Sequence, residues 1–327
     1  MRYEMRWMQG FLVSVLLLGM SSLQAEDVVR LGNLKLAHFG AVSYIKEIAP
    51  KCGLKVEERI FAKGPDIMQA MIAGELDVGA TASEAAISGR ANGVPIVIVA
   101  GFARGGARLL SRTDLHLKTI ESLKSRKVGV TRGGIQEVLL VAELAQHKMT
   151  WSDQPGKDVQ LIYLAYPDLN QALMQKNVDA IMQSEPYSSQ ALAQGWGSEM
   201  MKPYDTPIGE PIRTLVMTEK FYANKPVAQK FMQCFVLATK TFIDQPQVAE
   251  KYVRDAIFKH QLSSEEFQAA IANSPYSYNI TADHIQRTAD TMFKYGIGKM
   301  SAPPVARDFV KTDLLEAATK KALDVKP

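Results

Sequence analysis

The stretch Pro65-Asp66-Ile67-Met68-Gln69-Ala70-Met71, running on through Leu76-Asp77-Val78 to Thr81-Ala82-Ser83-Glu84, occurs twice in this chain. Its second copy is Pro167-Asp168-Leu169-Asn170-Gln171-Ala172-Leu173, followed by Val178-Asp179-Ala180 and Gln183-Ser184-Glu185-Pro186, at a constant offset of 102 residues with no gap. Solenoid arrays repeat every 20–50 residues or so, so an offset of this size marks one supersecondary unit used once in each of two lobes. Each copy reads as a helix, a short buried strand and a polar turn at the strand's carboxyl end. Two such turns facing each other would form the walls of a ligand cleft.

The residues around each copy follow one order. Val28–Gly32 reads as a strand, Ala41–Ile48 as a helix with apolar residues at helical spacing, and Val56–Phe61 as a strand; the first copy comes next, with Asp66 placed to cap its helix. After Gly101–Ser111, where Gly101, Gly105 and Gly106 suit a crossing between lobes, the order restarts. Lys127–Val130 is a strand, Thr131-Arg132-Gly133-Gly134 a glycine turn, Ile135–His147 an amphipathic helix and Val159–Leu164 a strand, ahead of the second copy. Strands alternating with helices predict an α/β sheet in each lobe. Arg213–Met217 reads as a strand returning the chain, and helices are expected at Val227–Ile243, Gln247–Phe258, Ser264–Asn273, Ala282–Tyr295 and Arg307–Ala322. The expected organisation is residues 26–110 for the first lobe, 111–211 for the second, and 212–327 for a return to the first lobe with a helical tail packed on it.

Residues 1–25 are set apart. Arg2 and Arg6 precede an apolar run from Phe11 to Met20, and Ala25 offers a small residue for cleavage, the pattern of a secretory signal peptide. The apolar run is too short for a bilayer span of about 20 residues. The remaining chain is expected to be exported and monomeric. A formal net charge of +4 without a basic, aromatic-interleaved patch argues against nucleic acid as a partner. The five histidines are scattered and lack metal-ligand spacing, so neither a metal nor a cofactor is expected. Cys52 and Cys234 are the only cysteines, and two readings stay open: a bridge, or two separate buried thiols.

Ligands of α/β sheets bind beyond the carboxyl ends of the strands, where loops meet helix N-termini. In the first lobe that places His38, Phe39, Lys63, Thr81, Ser83 and Glu84 in the cleft, with Arg104 and Arg213 near the crossings. In the second lobe it places Gly133, Gly134, Ile135, Gln183, Glu185 and Tyr187 there. Phe39, Phe102 and Tyr187 are candidates to stack on a flat ring. Glu84, Glu137 and Glu185 would oppose a simple dianion unless Arg104, Arg132 or Arg213 offsets them. Asp77 and Asp179 sit at strand starts, away from the cleft, and read as structural. Two of the candidates, His38 and Phe39, suit the core as well as the cleft.

The signal peptide, the glycine turn after a mid-chain strand, Val178-Asp179-Ala180 followed by Glu185-Pro186-Tyr187, Ala62-Lys63-Gly64-Pro65 and Gly74-Glu75-Leu76-Asp77-Val78-Gly79 together resemble one family. It is that of the periplasmic substrate-binding proteins of ABC importers, within the nitrate/sulfonate/taurine and thiamine-pyrimidine-precursor (NMT1-like) group. The resemblance runs from about Val28 to about Ala322. It implies a two-lobed type II periplasmic binding protein fold that closes on a small-molecule ligand. It also implies a partnership with an ABC permease and its ATPase, the membrane being met only through the permease. Sulfonate binders of the group tend to carry a hydroxyl at the second-lobe glycine turn, whereas this chain has Gly133-Gly134-Ile135. A nitrogen heterocycle, or a ligand with an amine as well as an acid, suits the carboxylates better than a simple sulfonate. No residue is expected to be catalytic. The rival from another class, an enzyme on the same fold, needs an acid–base pair in the cleft, for which His38 with Glu185 is the candidate. A ligand-sensing domain presented to a membrane receptor is a third reading.

Overall fold

The structure, a computed structural model, describes residues 27–324, so the expected signal peptide lies outside the described residues. The chain opens with β1 (Asp27–Leu34), α1 (Gly40–Ile48), β2 (Leu54–Phe61), α2 (Gly64–Ile72), β3 (Val78–Ala82), α3 (Ser83–Ala91) and β4 (Ile96–Arg104). It continues through β5 (Ala107–Arg112), β6 (Arg126–Val130), α4 (Ile135–Gln146), β7 (Trp151–Ser152), β8 (Val159–Tyr163), α5 (Tyr166–Met174), β9 (Ala180–Ser184), α6 (Tyr187–Ala193) and β10 (Gly197–Met201). After β11 (Ile212–Thr218) come helices alone: α7 (Glu219–Ala223), α8 (Lys225–Asp244), α9 (Pro246–Tyr252), α10 (Ser264–Asn273), α11 (Ala282–Lys294), α12 (Ala306–Phe309) and α13 (Asp313–Asp324).

Two sheets result, ordered β2-β1-β3-β11-β4 and β10-β5-β9-β6-β8-β7. The doubled stretch forms α2–β3 in one and α5–β9 in the other, and all four element boundaries differ by the same 102 residues. The matched aspartates do the same work in both. Asp77 Oδ2 accepts the backbone N–H of Arg30 at 2.9 Å, and Asp179 Oδ2 accepts that of Lys127 at 3.0 Å, each clasping the next strand of its sheet. In each sheet an antiparallel strand lies against the repeated one: β11 beside β3, and β5 beside β9. The short Gly105-Gly106 link joins β4 to β5, and Gly105 donates to Pro211 O at 2.8 Å just before β11, so the two connections between the sheets run side by side.

The chain departs from expectation in four places. Asp66 lies in the first turn of α2 and makes no cap bond; Lys63 stands at the cap, with its ammonium 3.9 Å from Asp66. The helix expected over 247–258 ends at Tyr252 and continues as a π turn, Val253–Ile257. The helix expected over 307–322 is broken, because Val310 turns extended to bridge Ile98 of β4 and Lys311 donates to Ile98 O. The fourth departure concerns where the tail rests. α8 packs on α1, and α13 packs on both α8 and β4, but α10 also rests on α6, and α11 reaches α3 and α4. The helical tail therefore covers the first sheet and touches the second. Ser263 and Thr281 cap α10 and α11 through their hydroxyls, matching the start signals in the sequence. Cys52, in the turn after α1, and Cys234, inside α8, are bonded as a disulfide. Among the described residues no helix is long and apolar enough to cross a membrane.

Candidate functional site

The carboxyl ends of β1, β3, β6, β8 and β9 converge between the two sheets. A small chamber lies there, lined by Leu34, Leu36, Phe39, Gly64, Thr81, Ala82, Glu84, Ile135, Gln136, Tyr166, Ser184 and Arg213. Its free space is about 10 Å³, room for roughly one water, so the lobes are shut upon it.

Polar groups without partners mark the chamber. Arg213, only 1% exposed, enters on β11, which threads between β3 and β4. Its Nε donates to His38 Nε2 at 3.0 Å and its Nη2 to Gly105 O at 2.9 Å, while Nη1 has no partner. Accepting that bond fixes His38 as the tautomer protonated at Nδ1. Burial first, then the Arg213 charge, holds its pKa well below the ordinary value, so the ring is neutral. Thr81 Oγ1 and Glu84 Oε2 are buried and unpartnered as well. Buried polar atoms are nearly always paired, so three orphans around one small chamber point to a ligand that pairs them.

Glu84 is the acidic member. It starts α3, 3% exposed, and burial pushes its carboxyl up from 4.5 to about 7 against the opposing pull of Arg213 and of backbone N–H groups, including that of Ile135 in the other lobe. Its folded value lies above its unfolded one, so its contribution to stability is whole below about pH 4.5 and is lost as the pH rises through 7. The loss is about 3 kcal/mol over that window. We expect the stability of the wild type measured by urea unfolding to fall from pH 5 to pH 8, and Glu84→Gln to flatten that slope. Equal slopes in the two proteins would refute the assignment.

Local geometry explains the remaining lining. A Cβ on Gly64 would stand 2.2 Å from Thr81 Oγ1, and one on Gly134 would stand 2.7 Å from the Tyr166 hydroxyl, so only glycine lets these two turns close on the chamber. The Tyr166 hydroxyl donates to Gln136 Oε1 at 2.6 Å, and Gly133 N donates to Glu137 Oε2 at 2.6 Å.

Among the candidates read from sequence, Phe39, Thr81, Glu84, Ile135 and Arg213 line this chamber, and His38 stands behind Arg213. Ser83 is buried nearby with an unpartnered hydroxyl. Lys63 is exposed at a neighbouring opening with Thr131 and Tyr163. Arg104 is exposed and pairs with Glu210 at 3.6 Å. Gln183 is buried and committed, donating to Tyr166 O and Asn170 Oδ1 and accepting from Ser184 N. Glu185 is fully buried away from the chamber. Its Oε1 meets Arg108 Nε at 3.0 Å and accepts from Asn273 at 2.8 Å, and its Oε2 accepts from Ser189 N. Glu185 therefore joins the crossing, the second sheet and the tail, and it does not pair with His38. Phe102 is core: it is wholly buried and edge-on to Phe39, with centroids 4.7 Å apart. Tyr187 packs edge-on against Phe258.

Tyr166 and Gln136 were not among the candidates. Tyr166 had a readable signal, because it stands 102 residues after Gly64, where one copy has no side chain and the other has a phenol.

The two sheets and the chamber between them form a two-lobed periplasmic binding protein fold. The chain belongs to the NMT1-like family, whose model matches residues 28–256. A protein of Escherichia coli K12 named for binding aliphatic sulfonates is 31% identical over 174 residues, 52% of this chain and 50% of that relative, so the match spans half the relative's length. An ABC transporter periplasmic binding protein of Brachyspira hyodysenteriae is 24% identical over 292 residues, 82% of each chain. Among solved structures, the alkanesulfonate-binding protein SsuA of Xanthomonas axonopodis pv. citri, bound to MOPS, has a TM-score of 0.73 at 16% identity, covering 88% of this chain and 98% of that one.

Proposed function

We propose that this protein is the solute-binding component of an ABC importer, exported to the periplasm by the segment ending near Ala25. It captures a small polar organic molecule and presents it to a membrane permease driven by an ATPase. The lobes are residues 26–110 with the return from 212, and residues 111–211. They hinge at the paired connections, and a solute touching both lobes stabilises the shut form over the open one.

The observation that carries this reading is the set of buried, unpartnered groups between the lobes: Arg213 Nη1, Glu84 Oε2 and Thr81 Oγ1. A cationic donor, an acceptor of adjustable charge and a hydroxyl recognise a solute that offers both an acceptor and an N–H donor. Sulfonates, carboxylates and nitrogen heterocycles supply the acceptor. An amine or aminopyrimidine edge also supplies the donor for Glu84. The shut chamber holds about one water, so the lobes must part to admit a solute and then close less far around it. His38 is held by Arg213 and Glu185 by Arg108, so the His38–Glu185 pair that the enzyme reading needs is not assembled.

Thermal unfolding across sulfonates, carboxylates and aminopyrimidines tests the proposal. A true solute at 100 times its Kd should add about 2.7 kcal/mol of stability. A panel in which no compound moves the midpoint would count against solute capture.

A further inference from the structure

A second, larger space opens beside the shut chamber. It measures about 610 Å³, and Glu84 lines both. Its walls come from three parts of the chain: α2 and α3 of the first lobe, α4 with β7 and β8 of the second, and residues 292–299, from the end of α11 onward. We propose that this lateral chamber is a second subsite, which takes a flat, apolar portion of a solute whose polar head lies at Arg213 and Glu84. The inference rests on the solute-capture reading and deepens it by assigning the solute's class: a polar head carrying an aromatic ring.

Three features of the chamber favour a ring. Trp151, from the second lobe, and Tyr295, from the tail, meet edge to face with centroids 6.4 Å apart, so two aromatic surfaces from different parts of the chain border one space. Aromatic side chains supply large contact area and prefer stacked or edge-on ring partners. Met68, Ile72 and Val141 add aliphatic wall, and Ile72 is 55% exposed, a large apolar side chain left to water. Of the charged groups that line the space, Lys299 is exposed and two others are already engaged. Arg132 lies 3.8 Å over the Tyr163 ring and pairs with Asp153 at 2.8 Å, while Glu137 accepts from Gly133 N and from the Tyr163 hydroxyl. Glu84 Oε2 is the buried exception, unpartnered where the two spaces meet. A solute spanning both would place an N–H donor there and its ring beyond.

The test compares each head with its ringed counterpart by calorimetry at pH 7: methanesulfonate with phenylmethanesulfonate, acetate with phenylacetate, and 4-aminopyrimidine with 4-aminoquinazoline. We expect the ring to tighten binding at least tenfold in one pair or more, in line with the apolar area it would bury. Trp151→Ala, which removes a wall, and Ile72→Trp, which fills the chamber from its exposed edge, should each cut that gain below threefold while the unfolding midpoint holds. If heads bind and rings add nothing, the second subsite is wrong and solute capture stands. A ring gain that survives both substitutions places the ring elsewhere and also overturns the subsite. If neither heads nor ringed compounds bind, both readings fall.

Discussion

Replacing Arg213 by Met should weaken solute binding at least tenfold. The guanidinium is buried, and its three nitrogens differ: Nε holds His38, Nη2 holds the Gly105 carbonyl at the crossing, and Nη1 has no partner. Burial lowers its pKa from the ordinary arginine value, but the guanidinium stays charged across the accessible range. Hydrogen bonds to a charged group contribute about 1.5–3 kcal/mol each. At 1.4 kcal/mol per tenfold, that is roughly ten- to hundredfold in affinity. Arg213→Lys keeps the charge without the planar fork, so its affinity should fall between those of the wild type and the Met variant. Calorimetry on variants with an intact cooperative unfolding transition decides the matter. A folded Met variant that binds within threefold of the wild type would remove Arg213 from the site.

The same residue shows where sequence reading reaches and where it stops. The repeat was legible because its copies keep one offset through helix, strand and turn, and the matched aspartates could be read as structural from their place at the strand starts. The mismatches carried the chemistry: Glu84 stands where the second copy has Pro186, and Gly64 where it has Tyr166. Arg213 could be named as a cation able to offset the carboxylates. Its inward direction depends on β11 threading between β3 and β4, a pairing across more than 100 residues that local pattern does not encode. Glu185 misled for the same reason. A polar residue at a strand's carboxyl end suggests a ligand, but its partners Arg108 and Asn273 lie 77 and 88 residues away in sequence. The unbroken helix expected near the C-terminus failed at Val310, where pairing with Ile98 of β4 overrode a good helical pattern.

Reducing the Cys52–Cys234 disulfide should cost about 2–5 kcal/mol of stability and leave solute affinity within threefold of its oxidised value. The bond closes a loop of 182 residues that contains the whole second sheet, so its loss enlarges the unfolded ensemble substantially. Both ends lie on the first lobe's side: Cys52 follows α1, and Cys234 sits in α8, which packs on α1. The bridge thus holds the returning chain to the lobe where the chain began, and it spans neither the cleft nor the connections between the sheets. Opening and closing leave its ends in one body, which is why stability and affinity should separate. For about 300 residues, with unfolding entropy near 2.1 cal/mol/K per residue, the expected fall in Tm is roughly 3–8 °C. Scans with and without dithiothreitol, repeated on the Cys52→Ser/Cys234→Ser double variant, measure it. A midpoint indifferent to reductant would mean the bond does not form in solution. A large loss of affinity at full folding would mean that the tail moves against the first lobe during closure, so that the two do not act as one body.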